Sequence, residues 1–565
     1  MNISQWLIEY GYCYILSLHF GLLLIVTIVA LANIMKKWAA KEWVAFASLF
    51  VLIGFLLNMQ PYFQAHVYND EFYYASIGQN IAQNGRTCPL VYVDNTDTVA
   101  KFNYFQPPYP QGWPYLIGAF HKLFFSYVGS LNAWPIWYQA ALLNKLLLVC
   151  SIAGLFIVLR CLYPLPSAWT VGLSVAFLPF LLHLAQGASA ELASLSALVL
   201  TVLAYISCKR SPNWLHCLWL TLSAAYLVQM RPEGAIALGL AIFVFGSLGS
   251  CNNFAEFMAA YGKKAAVMVL VFSFCSWSAF WAVLDHAPQL DHHFAALARP
   301  GLTIWQNRAF NLFNDAMFFL KNRGWPLALT ILAVIALVNN FNKNKFTQPI
   351  LNWWWQLGEK VAEPAADVAW KAALWLFLMT IFLAWYPFGD YACIYSLDSW
   401  RFAYIVVVPM AVLAAQGFTY LWSQNIKLRL VACGLVMASL ATYWWPNFNY
   451  NNPMQPSYDY FLQNAVQTAA YNGVPLVLPD SHLFCSAVYR WGGQAYVVQG
   501  LAKNNKDELL KWKSSWPSDC GCMVVCLYPD STGTYDLNLW KNWKICLLNE
   551  EPSSGAGLFL LQKEP

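Results

Sequence analysis

Apolar runs of roughly 17 to 25 residues, separated by polar interruptions, fill the chain up to about residue 446. Runs of that length suit helices that cross the ~30 Å hydrocarbon core of a bilayer. About twelve are predicted, at approximately 12–34, 43–60, 136–159, 166–184, 190–207, 213–230, 233–250, 265–284, 325–339, 369–386, 402–422 and 428–445. The interruptions alternate in character. One set is short and basic: Lys36, Lys37 and Lys41, Arg160, Lys209 and Arg210, Lys263 and Lys264, Lys343, Lys345 and Lys360, Lys427 and Arg429. The positive-inside rule places these on the cytoplasmic side. The other set then faces outward and holds the long loops 61–135 and 285–324, with short turns near 185–190, 231–233 and 387–401. An even number of spans puts both termini on the outside.

After about residue 446 the pattern shifts to short β-like runs, VPLVLP at 474–479, CMVVCLY at 522–528, WKICLL at 543–548 and GLFLLQ at 557–562, with helix-like segments near 457–471 and 505–513. The period change predicts two parts. Residues 1–445 form a transmembrane domain, and residues 446–565 form a small α/β soluble domain on the outer face. The expected fold class is therefore a polytopic α-helical membrane protein with a C-terminal α/β domain.

Composition agrees. The chain is 59% hydrophobic and 10% charged, outside the balance of a soluble domain. Its formal charge of +5 is small for 565 residues, which argues against a nucleic-acid partner. The N-terminal run has neither a basic leader nor a small-residue cleavage site and reads as a retained helix.

Charges near hydrocarbon are costly, so their positions point to function. The predicted outer side collects Asp70 and Glu71; Glu191 at the start of a span; Arg231 and Glu233 in QMRPEG; Asp285, His286, Asp291, His292 and His293; and Asp390, Asp398 and Arg401. The sharpest feature is HVYNDEFYYASIGQNIAQNG, residues 66–85, where Asp70 and Glu71 sit among aromatic residues. Adjacent carboxylates on a helix diverge by ~100°, so one can meet a substrate hydroxyl while the other meets a cation. The same letters read as helix-start chemistry, with Asn69 or Asp70 as N-cap and Gly85 as the stop. Downstream, PPYPQGWPYL leads into an amphipathic helix carrying Trp113, Tyr115 and Phe120, predicted to lie in the headgroup plane.

The acidic pair in the first large outer loop, the Ile81-x-x-x-Gly85 spacing after it, the Pro-rich PPYPQGWPYL and the interfacial helix together resemble the GT-C membrane glycosyltransferases. Within that superfamily the closest in pattern are the protein O-mannosyltransferases and the lipid A aminoarabinose transferases. Residues 12–34 then stand as an additional helix ahead of the acidic loop. The resemblance implies a sugar transfer from a polyprenyl-phosphate donor to a glycan, lipid or protein acceptor on the outer face of a bacterial plasma membrane. It implies Asp70 as general base, Glu71 and Glu191 as further catalytic acids, and Arg231 as a donor-phosphate ligand. Glu233, Arg401, Tyr73 and Tyr109 complete the expected substrate contacts. No cofactor is required, and a divalent metal ion is left open, with Asp70, His292 and His293 as candidate ligands. The alternative is a multi-span transporter or flippase of lipid-linked sugars. One-sided charges and the lack of a detectable repeat argue against it.

Overall fold

A computed structural model of the chain describes residues 10–58, 68–87, 110–125, 136–245, 262–277, 279–280, 325–342, 365–385 and 402–443, short pieces between 306 and 320, and short pieces between 464 and 563. The backbone is described at Asp70 and Tyr73, but their side chains lie outside the described residues, as do Tyr109, His292, His293 and Arg401.

Where the structure describes them, the apolar runs become helices. They are α1 (Tyr12–Met35), α2 (Ala40–Asn58), α3 (Tyr68–Asn84), α4 (Gly112–Phe120), α5 (Ile136–Leu162), α6 (Leu165–Ala176), α7 (Pro179–Leu184), α8 (Glu191–Arg210), α9 (Trp214–Met230) and α10 (Pro232–Phe245). A helical stretch over 262–277 follows, then α11 (Leu327–Asn342), α12 (Ala365–Trp385), α13 (Tyr404–Ser423) and α14 (Ile426–Tyr443). Five of these, α1, α2, α5, α8 and α13, are long and apolar enough to cross a membrane, and they mark an integral membrane protein.

Burial separates inner from outer helices. In α8 and α13, 78% of the most apolar stretch is buried, against 28% in α1 and α2. The first pair is thus the centre of the bundle, and the second presents Leu24, Ile25, Val44 and Val51 outward. Around the centre, α5 and α9 pack on α8, while α11 and α12 pack on α13. Helix α8 is matched to its own dipole, with Glu191 in the first turn and Lys209 and Arg210 in the last. Helix α9 starts on Asn213, whose side chain accepts the His216 N–H at 2.9 Å.

Helix α1, the additional helix, is keyed to the bundle by polar contacts. His19 Nε2 meets the Leu222 carbonyl at 2.9 Å, and Trp219 Nε1 donates to Thr27 Oγ1 at 3.0 Å. Tyr115 of α4 donates to Ser17 at 2.7 Å. On the side predicted cytoplasmic, Arg160 closes an ion pair with Glu42 at 2.7 Å, joining α5 to α2.

Two expectations change. The run 166–184 is not one span: it breaks into α6 and α7, with Leu178 extended (φ −63°, ψ 114°) ahead of Pro179. Proline lacks the N–H that would continue the ladder and pushes the preceding residue out of the helical region. The interfacial helix is also more deeply seated than expected. Trp113 and Ile117 of α4 are fully buried, and the apolar side chains it leaves exposed, Leu123 and Phe124, come from the π-helical turn His121–Phe125 that extends it.

Among the described residues within 476–563, five strands form one mixed sheet in the order β2-β1-β3-β5-β4. They are β1 (Leu476–Leu478), β2 (Ala495–Val497), β3 (Cys522–Leu527), β4 (Trp543–Glu550) and β5 (Gly557–Lys563). Strand β1 runs parallel to β2 and β3, and β5 runs antiparallel to β3 and β4. Val524, Val525, Leu558, Phe559 and Leu561 are buried.

Candidate active site

Three features of local sequence set the site. The α3 pattern stops at Gly85, which takes φ +67°, a conformation glycine adopts at little cost. Helix α3 begins at Tyr68, so Asp70 and Glu71 lie in its first turn, where negative charge is favoured, and Asp70 is not the N-cap. The chain then leaves α9 at Arg231, whose backbone is extended (φ −152°, ψ 148°), before Pro232 opens α10.

That extended residue turns Arg231 into the bundle, where it is 6% exposed. Its Nη1 donates to Glu191 Oε1 at 2.7 Å, and its Nη2 donates to Glu233 Oε1 at 3.0 Å. Its Nε donates to Glu233 at 3.2 Å, and its guanidinium lies 5.2 Å from the Phe402 ring centroid. Both carboxylates are fully buried. Burial alone would lower the Arg231 pKa; the Glu233 and Glu191 carboxylates more than offset this and hold it well above the ordinary arginine value. The cation therefore stays charged, and its geometry is fixed from two helices and a turn.

Glu71 is fully buried as well, but it faces the backbone of loop 185–190, which leads into α8. Its Oε2 accepts the Ala188 N–H at 3.1 Å. The approach is close: a Cβ on Gly187 would stand 2.6 Å from Glu71 Oε1, so a side chain there would force the carboxylate and the loop apart. The same loop is held from two other sides. Trp113 Nε1 donates to the Ala188 carbonyl at 2.7 Å, and Asn144 Nδ2 donates to the Gly187 and Ser189 carbonyls, each at 2.8 Å. The structure thus joins Glu191, Arg231 and Glu233 directly and sets Glu71 against the loop ahead of Glu191.

Asn144 and Trp113 were not among the residues predicted for the site. Asn144 carries a signal that was there to be read, a carboxamide inside the apolar α5 run, where an unpaired polar group is costly. Among the described residues no three His, Cys, Asp or Glu side chains come together as a metal group.

The fold has a counterpart among solved structures at low sequence identity. A solved structure sharing it is ArnT from Cupriavidus metallidurans bound to undecaprenyl phosphate, with a TM-score of 0.54 at 12% identity over 92% of this chain and 98% of that one. An Archaeoglobus fulgidus oligosaccharyltransferase tethered with an acceptor peptide gives a TM-score of 0.49 at 12% identity, over 94% of this chain and 75% of that one. No protein-family model and no curated protein matches the sequence.

Proposed function

We propose that the chain is an integral-membrane glycosyltransferase that moves a sugar from a polyprenyl-phosphate donor to an acceptor on the outer face of the membrane, with Asp70 as general base. The observation that carries this reading is the buried Glu191–Arg231–Glu233 group beside the loop that Glu71 touches, in a fold shared with a transferase crystallised on undecaprenyl phosphate.

In the reaction the acceptor hydroxyl oxygen bonds to the anomeric carbon as the bond from that carbon to the donor phosphate oxygen breaks. The hydroxyl proton passes to Asp70, and the polyprenyl phosphate leaves as an anion. Arg231, with Arg401, stabilises the charge that grows on the phosphate. Each terminal nitrogen of a guanidinium carries a second N–H to offer, and Arg231 needs no reorganisation because Glu191 and Glu233 already fix it. Direct displacement inverts the anomeric centre. Tyr73 and Tyr109 are assigned to substrate contacts. The acceptor is a glycan, a lipid or a protein, and residues 446–565 are assigned to an outer-face domain.

The test is a transfer assay in membranes with lipid-linked sugar donors, comparing wild type with Asp70→Asn and Glu191→Gln. Loss of the base lowers transfer by about 10²- to 10⁴-fold. Full transfer by a well-expressed Asp70→Asn protein removes Asp70 from that role, and donor translocation without transfer favours a flippase. Topology is checked separately: tags at Gly85 and Gly301 report one side of the membrane and a tag at Lys209 the other. A cytoplasmic Gly85 overturns the outer-face assignment.

A further inference from the structure

We propose that Glu71, Asn144 and Trp113 form a three-sided clamp on loop 187–189 that positions Glu191 and Arg231, so that Glu71 serves as a positioning residue and leaves proton transfer to Asp70. The inference rests on the transferase reading for its effect on turnover, but the clamp itself is a property of the fold.

Three successive residues, Gly187, Ala188 and Ser189, give up backbone groups to buried side chains from α3, α4 and α5. Glu71, Trp113 and Asn144 are each fully buried, so every one of these bonds forms away from water. Such bonds matter most where the alternative is an unsatisfied buried group. The loop is short and ends on Ala190, after which Glu191 opens α8 and reaches Arg231 at 2.7 Å. A displacement of Ala188 is therefore passed within three residues to the carboxylate that fixes the guanidinium. Both Glu71 oxygens are close to this loop, one accepting Ala188 N–H and the other against Gly187. That geometry asks for an acceptor of the right length.

This separates two roles by conservative substitution. Glu71→Gln keeps an amide oxygen for Ala188 N–H, whereas Glu71→Ala keeps none. Asn144→Leu removes both donors to the loop, and Gly187→Ala pushes the loop off Glu71 from the opposite side. Hydrogen exchange on the purified full-length protein in detergent reads the clamp without any substrate. Peptides covering 186–191 exchange about tenfold or more faster in Glu71→Ala, Asn144→Leu and Gly187→Ala, and Glu71→Gln restores protection. In the transfer assay kcat/KM for an undecaprenyl-phosphate sugar falls by about tenfold or more in the first three and recovers to within about threefold of wild type in Glu71→Gln.

A Glu71→Gln protein as inactive as Glu71→Ala, with protected 186–191 amides, overturns the proposal and assigns the charge of Glu71 to the reaction. Unchanged exchange in both Asn144→Leu and Gly187→Ala overturns the clamp. A wild-type protein that transfers no sugar, yet shows the expected exchange pattern, supports the clamp and overturns the transferase reading alone.

Discussion

Replacing Arg231 with methionine removes the only positive charge described between two fully buried carboxylates. With charge centres ~4 Å apart and an effective dielectric of about 20, each attraction is about 4 kcal/mol, much of it offset by the cost of burying the ions. The loss on Arg231→Met is larger than the net value of either pair, because two buried carboxylates, Glu191 and Glu233, lose the cation that joins them. Breaking a buried pair in this way costs about 3–5 kcal/mol, a large part of the ~5–15 kcal/mol that holds a typical native state. Glu191→Gln costs less, about 1–3 kcal/mol, since Arg231 keeps Glu233. In the double variant Glu191→Gln no longer costs a charge–charge contact, so the two effects fall short of their sum by about 1.5–3 kcal/mol. The assay is SDS-titrated unfolding in mixed micelles, followed by tryptophan fluorescence, on wild type, both single variants and the double. Effects that add to within about 0.5 kcal/mol refute the contact, because independent sites behave that way.

Arg160→Met removes the cation paired with Glu42 Oε1, while Oε2 keeps the Ala39 N–H, and lowers stability by about 0.5–1 kcal/mol, read from the same titration. Gly118→Val forces a side chain into the α3 backbone, where even a Cβ would lie 2.6 Å from the Gly78 carbonyl; it lowers the melting temperature and exposes the amides of α3 to exchange, whereas Gly85→Asn at the helix stop leaves both nearly as they are. Cys208 and Cys217 have sulfurs 3.6 Å apart at the cytoplasmic end predicted for α8 and α9, so copper–phenanthroline oxidation yields a Cys208–Cys217 disulfide by mass spectrometry of the unreduced protein. Failure to crosslink in folded protein would place the start of α9 elsewhere.

The helix expected at 402–422, an apolar run bounded by Arg401 and Lys427, was legible: α13 occupies Tyr404–Ser423. The break at Pro179 was hidden because the residues on both sides of it are apolar, so hydropathy continues across a backbone that does not. Strand β2 was missed because three residues, Ala-Tyr-Val, carry no period to detect, and it is a strand only through pairing with β1. At the site, loop alternation put Glu191, Arg231 and Glu233 on one side, but hydropathy says nothing about which helices are neighbours. The 2.7 Å contact from Arg231 to Glu191 arises from α8 and α9 packing as an antiparallel pair joined by the turn at 211–213. Trp113 was read as a membrane anchor because a tryptophan near an interface has that use, and its burial depends on a partner carbonyl at Ala188, 75 residues away.

Helices α3 and α4 meet where Gly78 and Gly118 bring their main chains together, with a Cβ on Gly78 standing 2.8 Å from Ile117. Most helix pairs touch through side chains, which rotate and absorb small displacements before the backbone moves. Here that layer is thinned to the Ile81 and Ile117 side chains, so a shift of one main chain is passed directly to the other and the two helices form one plate. One margin of the plate carries Glu71 at the loop before Glu191, and the other continues into Leu123 and Phe124, which are 68% and 58% exposed. Any change that separates the two main chains at Gly78 and Gly118 is therefore felt at both margins.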